Sequence, residues 1–372
     1  MKKLFLITTI LTAIILTSCK TTKQADSNAT AKKPKDSITL LFAGDIMAHN
    51  VNYKMKDYNC IWDGVKKEIT DADLAFGNIE APVDATKEPE SYPYFNMPVS
   101  YVQAAIDAGF DVFSLCNNHS NDQKLDGIKH TLETVNKLTQ NEKEKGKNIY
   151  FSGLKPNEKD TFTYNIIEVN GWKILFLPMT EILNKPTASG YINYINSSTE
   201  KRNDFINFCA ELRKNNPCDL FILSWHANET EYIRTVTKRQ EQFYNDLLEA
   251  GIDVIWANHA HIIKDRKIIN YKESGTSKII MYANGNTISG QRSTPDFKVG
   301  NPIGERDNTG DGLFYKVTFY KEKKSSAPKI FETQSIFITT YVTPKRDYIV
   351  RLLDESFIKE LEQNSQKKWR RK

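Results

Sequence analysis

Ile38-Thr-Leu-Leu-Phe-Ala-Gly-Asp45 is a short apolar, β-branched run that stops at a glycine and a carboxylate. Such a run reads as a buried strand. The pattern recurs along the chain. Asp73-Leu-Ala-Phe76 runs into Gly77-Asn78-Ile79-Glu80, and Asp111-Val-Phe-Ser-Leu115 into Cys116-Asn117-Asn118-His119. Leu220-Phe-Ile-Leu-Ser224 ends at Trp225-His226, and a strand over 252–256 ends at Asn258-His259-Ala-His261. Helical patterns at 61–70, 99–108, 125–138, 200–215 and 236–250 alternate with these strands. Further strands are predicted at 278–282, ending at Asn284-Gly285-Asn286, and at 313–320. A terminal helix is expected over 347–363. Residues 82–98 and 141–148 read as a Pro-rich and a charged loop. Asn170-Gly171 between two apolar runs signals a hairpin over 163–177. No repeat of 20–50 residues is visible. Alternating strands and helices make the fold class α/β.

The polar residues fall just beyond the C-terminal ends of strands, where open α/β sheets bind ligands. Asp45, Glu80, Asn118, His119, His226, His259 and His261 form this set, which contains four of the chain's six histidines. Carboxylates, imidazoles and an amide oxygen suit borderline divalent cations such as Mn, Fe or Zn. Two such ions about 3.5–4 Å apart stabilise both oxygens of a displacement and acidify water. That chemistry needs a shared carboxylate, several imidazoles and a proton donor for the leaving group. Asp and Asn also serve as caps and turn formers at strand-to-helix junctions. Capping does not explain His-x-His at one strand end and Asn-Asn-His at another. His130, inside a helical pattern, reads as structural. Trp62, Trp225 and Trp256 read as core. Tyr92-Pro-Tyr94-Phe95 fits either a substrate groove or packing.

Gly44-Asp45-Ile-Met47, Gly77-Asn78-Ile79-Glu80, Asn117-Asn118-His119-Ser-Asn-Asp122 and the stretch from Asn258-His259-Ala-His261 to Asn284-Gly285-Asn286 resemble the CapA family of poly-γ-glutamate capsule biosynthesis proteins, over about residues 38–320. The resemblance implies a calcineurin-like metallophosphoesterase fold, a four-layer sandwich of two β-sheets flanked by helices, with two divalent ions (Mn, Fe or Zn) at one edge. It assigns Asp45, Glu80, Asn118, His226, His259 and His261 as metal ligands, with Glu80 or Asp45 bridging. His119 becomes the general acid or substrate-polarising group, oriented by Asp122. His49, Asn78, Lys264, Arg266 and Asn286 are candidate substrate contacts. The chain departs from the family at Trp225-His226-Ala227-Asn228-Glu229, where His-Trp-Gly is usual before a Glu, and at Asn258, where Gly is usual. It also lacks the Asp-x-His opening of ordinary metallophosphoesterases, which removes one imidazole from the first metal.

The 372 residues begin with a positive Met1-Lys-Lys and a 13-residue apolar run, Leu4 to Leu16, too short to span a bilayer comfortably. Leu16-Thr-Ser-Cys19 resembles the lipobox of bacterial lipoproteins. The expected organisation is a signal peptide (1–18), a lipidated Cys19 with a polar tether (19–37), a CapA-like domain (38–322) and a C-terminal extension with strand, helix and basic tail (323–372). Acyl chains anchor a protein without a transmembrane helix. With 40% hydrophobic and 26% charged residues, the chain is not disordered, collagenous or coiled-coil. The net charge of +5 comes from the ends: Lys367-Lys-Trp-Arg-Arg-Lys372 carries +5 and Lys2 and Lys3 two more, leaving −2 between them. That excludes a nucleic-acid partner for the body. Cys60, Cys116, Cys209 and Cys218 lack zinc-finger spacing. They read as free thiols, with a Cys209–Cys218 bridge as the alternative an exported protein permits.

The expected function is synthesis, anchoring or processing of an anionic envelope polymer at the cell envelope, with capsule-synthesis proteins as possible partners. A metallophosphoesterase acting on small or lipid phosphates and a non-catalytic polymer-binding lipoprotein are the alternatives.

Overall fold

The structure, a computed structural model, describes residues 33–271, 275–292 and 306–363. The signal peptide, Cys19 and the Lys/Arg tail lie outside the described residues. β1 (Ser37–Ile46) is the first quoted run, buried from Ile38 onward. A turn of 3-10 helix and α1 (Lys66–Thr70) lead to β2 (Leu74–Ile79). α2 (Val99–Ala108) lies between Pro98 and Gly109, whose φ of 114° ends it. β3 (Val112–Ser114), α3 (Lys124–Glu144) and β4 (Tyr150–Ser152) follow. The hairpin is present: β5 (Asn165–Val169) pairs antiparallel with β6 (Trp172–Thr180). Asn170 and Gly171 between them have φ of 51° and 79°, as a primed turn requires. α4 (Thr199–Asn215) and α5 (Lys238–Glu249) are capped by Ser198 and Thr237 and flank β7 (Leu220–His226). β8 (Val254–Asn258), β9 (Arg266–Tyr271), β10 (Thr276–Met281), β11 (Asn286–Ile288), β12 (Asp311–Tyr320), β13 (Lys329–Val342), β14 (Tyr348–Leu352) and α6 (Glu355–Gln363) complete the order.

Two sheets form. One has eight strands, in the order β14-β13-β12-β1-β2-β3-β4, with β11 also paired to β1. The other has six, in the order β5-β6-β7-β8-β10-β9. Within each, the central strands β1 to β4, and β6, β7, β8 and β10, are parallel. Their side chains alternate between two cores. Ile38, Leu40 and Phe42 meet Ile222, Val254 and Trp256 between the sheets. Leu41 and Ala43 face α2 and α3, through Val102, Ile106, Ile128 and Val135. Leu223 and Ile255 face α4 and α5, through Phe205, Phe243 and Leu247. The result is the expected four-layer α/β sandwich, helices outside and sheets inside. Burial on both faces is why these strands read as continuous apolar runs.

The sheets are tied by aromatics. Phe76 stacks on Phe42 at 4.8 Å and meets Phe176 edge-on at 5.5 Å. Trp256 Nε1 donates across the interface to the Ala43 carbonyl at 2.7 Å. Each such ring contributes about 1.5–3 kcal/mol by burial. Trp62, Trp225 and Trp256 are all core.

Some expectations are corrected. The helix predicted over 347–363 is a strand followed by a helix. Tyr348 and Val350 point into the first core while β14 pairs with β13. α3 continues into the predicted charged loop because Lys145 and Gln103 hold Glu142 near its end. The Cys209–Cys218 bridge is not formed; all four described cysteines are free. Cys218 Sγ instead accepts from Arg213 at 2.8 Å.

Gly44 sets the distance between β1 and β11. A Cβ there would lie 1.8 Å from the Gly285 carbonyl oxygen, the acceptor for Asp45 N–H at 3.0 Å. Gly44→Ala is expected to push β11 off β1, costing about 1–3 kcal/mol. It should lower the thermal midpoint by several degrees and weaken metal retention. An unchanged midpoint and metal content would contradict this role.

Candidate metal centre

Because the strands are parallel, their C-terminal ends share one edge of each sheet, and the two edges face each other. Asp45 stands in β1, Glu80 directly after β2, Asn118 beyond β3, His226 at the end of β7, and His259 and His261 beyond β8. All six are 0–2% exposed. Five of them fall into two groups with ligand atoms within 4.8 Å of one another: Glu80 with His226 and His259, and Glu80 with Asp45 and His261. Glu80 belongs to both. Its Oε1 lies 3.7 Å from His226 Nε2 and 3.7 Å from His261 Nε2. Asp45 Oδ2 lies 3.3 Å from His261 Nδ1. Asn118 Oδ1 and His259 Nδ1 approach His226 Nε2 to 2.9 and 3.1 Å.

Both Glu80 oxygens are buried without a hydrogen-bond partner. A buried carboxylate in that condition is costly unless a cation meets it. The electrostatics agree. Burial, then the charges of Asp45 and Glu231, push Glu80 well above the usual carboxylate range. Burial and neighbouring histidines hold His226 well below the usual imidazole value, and burial with His261 takes His259 down to about 4. Burial also pulls His261 down, but its hydrogen bond and charge contact with Asp45 outweigh this and leave it raised. His226 and His259 are thereby held neutral and ready to ligate. A divalent cation fits the donor set.

His259 and His261 have φ of 105° and 56°. Non-glycine residues there store strain of about 1–3 kcal/mol each, common at functional sites. Asn258, where the family usually has Gly, ends β8 in ordinary strand conformation. The positive φ falls on the histidines instead.

Beside the two groups, His119 Nδ1 meets Asp122 Oδ2 at 2.7 Å. Asp122 also accepts the Phe95 N–H at 2.9 Å, and the Phe95 ring stands edge-on to His119 at 4.7 Å. The imidazole is thus fixed on two sides.

The candidate substrate contacts separate. Asn78 donates to Asp45 Oδ1 at 2.8 Å, so it orients that carboxylate. Asn286 Oδ1 meets His261 Nδ1 at 3.0 Å, while its amide nitrogen is held by Ser289, Gln291 and Thr309. His49 stands at the rim, facing His261 and His119 electrostatically. Lys264 and Arg266 do not join the site. The Lys264 ammonium is buried against Glu229, and Arg266 lies over the Tyr315 ring at 5.5 Å.

Other residues enter unannounced by the sequence. Asn184 bonds Asn118 through backbone and side chain, and its amide nitrogen lies 3.1 Å from His119 Nδ1. It follows Thr180, the end of β6, so strand-end logic was the available signal. Its neighbour Lys185 places Nζ 3.8 Å from the centroid of the Tyr94 ring. Glu231 feels the charges of His261, His259 and His119, which offset its burial and leave it lowered.

The family model for the bacterial capsule synthesis protein PGA_cap matches residues 39–291. Among curated proteins, the capsule biosynthesis protein CapA of Bacillus anthracis is 25% identical over 295 residues, 76% of this chain and 67% of that one. The PGA biosynthesis protein CapA of Bacillus subtilis is 26% identical over 263 residues, 69% of this chain and 64% of its own. The match thus spans about two thirds of each relative's length. Among solved structures, the calcineurin-like phosphoesterase YfkN of Bacillus subtilis aligns with a TM-score of 0.41 and 12% identity, covering 90% of this chain and 98% of that one.

Proposed function

The chain belongs to the bacterial capsule synthesis protein family, and from that premise we propose that it processes poly-γ-glutamate or a related anionic envelope polymer at a dinuclear metal site. The observation that carries this reading is Glu80, shared by two ligand groups with both oxygens unpartnered. Asp45, Glu80 and His261 would hold one divalent ion, and Glu80, Asn118, His226 and His259 the other. Ions so held would polarise the reacting carbonyl or phosphoryl oxygen and activate water.

The chain's own residues supply the rest. Asp122 occupies His119 Nδ1, so Nε2 is the nitrogen left to exchange a proton with substrate. In hydrolysis, water oxygen bonds to the acyl carbon or phosphorus as its proton passes to solvent, and the bond to the leaving group breaks. The leaving oxygen or nitrogen takes the proton from His119 Nε2. Asp122 stabilises and aligns the imidazolium beforehand. Asn78 and Asn286 hold Asp45 and His261 in place.

Lys185 supports an anionic substrate. Its ammonium sits on Tyr94, which is 41% exposed, and its charge reaches Asp122. Lys185→Gln is expected to raise KM for poly-γ-glutamate about tenfold, one lost charge contact, with little change in kcat. The test is hydrolysis by the metal-loaded mature chain, with poly-γ-glutamate and a phosphodiester as parallel substrates. Cleavage of the polymer with the Lys185 effect supports the reading. Turnover of the phosphodiester alone favours a phosphoesterase, and turnover of neither leaves a binding role.

Attachment to the cell envelope through Cys19 is part of the proposal and rests on the leader's sequence. Among the described residues, no helix is long and apolar enough to cross a membrane.

A further inference from the structure

His49 lies beyond the C-terminal end of β1, and its ring is built into place. Its Nδ1 accepts the Gly290 N–H at 3.1 Å. An amide that donates into Nδ1 leaves that nitrogen unprotonated, so the neutral ring carries its hydrogen on Nε2. Burial, reinforced by His261 and His119, takes the imidazole down to about 3, so the ring is neutral at ordinary pH. Gly290 makes room for it: a Cβ there would lie 2.6 Å from His49 Cβ. Phe95 stands edge-on to His49 at 5.1 Å, as it does to His119 at 4.7 Å, so one ring fixes both imidazoles. Nε2 has no protein partner among the described residues, and the residue is only half-buried. A neutral donor with one nitrogen pinned and the other open is suited to a ligand oxygen.

We propose that His49 contacts substrate, its Nε2–H donating a hydrogen bond to a carboxylate or phosphoryl oxygen bound between His119 and the Asp45–His261 group. This rests on the dinuclear reading above. Fixed donors of this kind discriminate for oxyanions without reorganising when charge develops.

The test uses the zinc-loaded mature chain with nitrogen-15 histidine, and inorganic phosphate and a γ-glutamyl oligomer as separate probes. His49 should show the Nε2–H tautomer, and its Nε2 signal should shift with at least one probe. The responding probe identifies the source of the oxyanion. His49→Phe should weaken binding of that probe about tenfold with metal content unchanged, and His49→Gln should restore part of it. An Nδ1–H tautomer, equal binding by His49→Phe, or a metal-loaded wild type that binds neither probe would overturn the proposal. A wild type that takes up no zinc would overturn the dinuclear reading itself.

Discussion

Glu80→Gln is expected to empty both cation positions together, with metal affinity falling beyond the 10–100-fold typical of an outer-sphere change. Glu80 is the one side chain common to the two ligand groups, and its two oxygens have no other partner. Glutamine keeps the shape but offers one oxygen, no charge, and an NH₂ that repels a cation. Asp45→Asn touches only the group containing His261 and should leave the other ion in place. The pH dependence has a fixed sign. Glu80 is held well above its ordinary value, so cation binding must displace its proton. Apparent affinity therefore rises with pH and falls as Glu80 protonates. Metal analysis of the three proteins, with calorimetric titration at two pH values, checks this. A Glu80→Gln protein that keeps both ions would contradict the shared-ligand arrangement.

His119→Gln should leave the metals and lower kcat by about 10²–10⁴-fold, the usual range for a lost acid–base group. His119 makes no contact that defines either ligand group; its fixed partners are Asp122 and Phe95. The loss should be greatest for substrates with poor leaving groups. Asp122→Asn should act in the same direction, because it replaces the carboxylate that holds the proton on Nδ1 with a neutral amide whose NH₂ can donate into that nitrogen. Unchanged kcat with full metal content would remove His119 from the proton path.

The site was largely legible because the central strands are buried on both faces. Ile38–Phe42 or Leu220–Leu223 could not be mistaken for half-exposed segments, so whatever followed them had to lie at the sheet edge. The Pro98 and Gly109 boundaries located α2 for equally local reasons. Legibility failed where pairing overrides local pattern. β14 is short, and it is a strand because β13 offers an edge to extend. β4 has three residues, too few for periodicity. Lys264 looked available because it follows His261, but its partner Glu229 is thirty-five residues earlier and meets it only in the fold. Asn184 was missed because an irregular segment carries no period, although it sits beyond the end of β6.

Anomalous diffraction from crystals of the manganese-loaded mature chain tests the central claim most directly. The account predicts two peaks about 3.5–4 Å apart, one on each side of the Glu80 carboxylate. No peak at Glu80, or a single peak that leaves either Asp45 and His261 or His226 and His259 without a cation after full reconstitution, would contradict it.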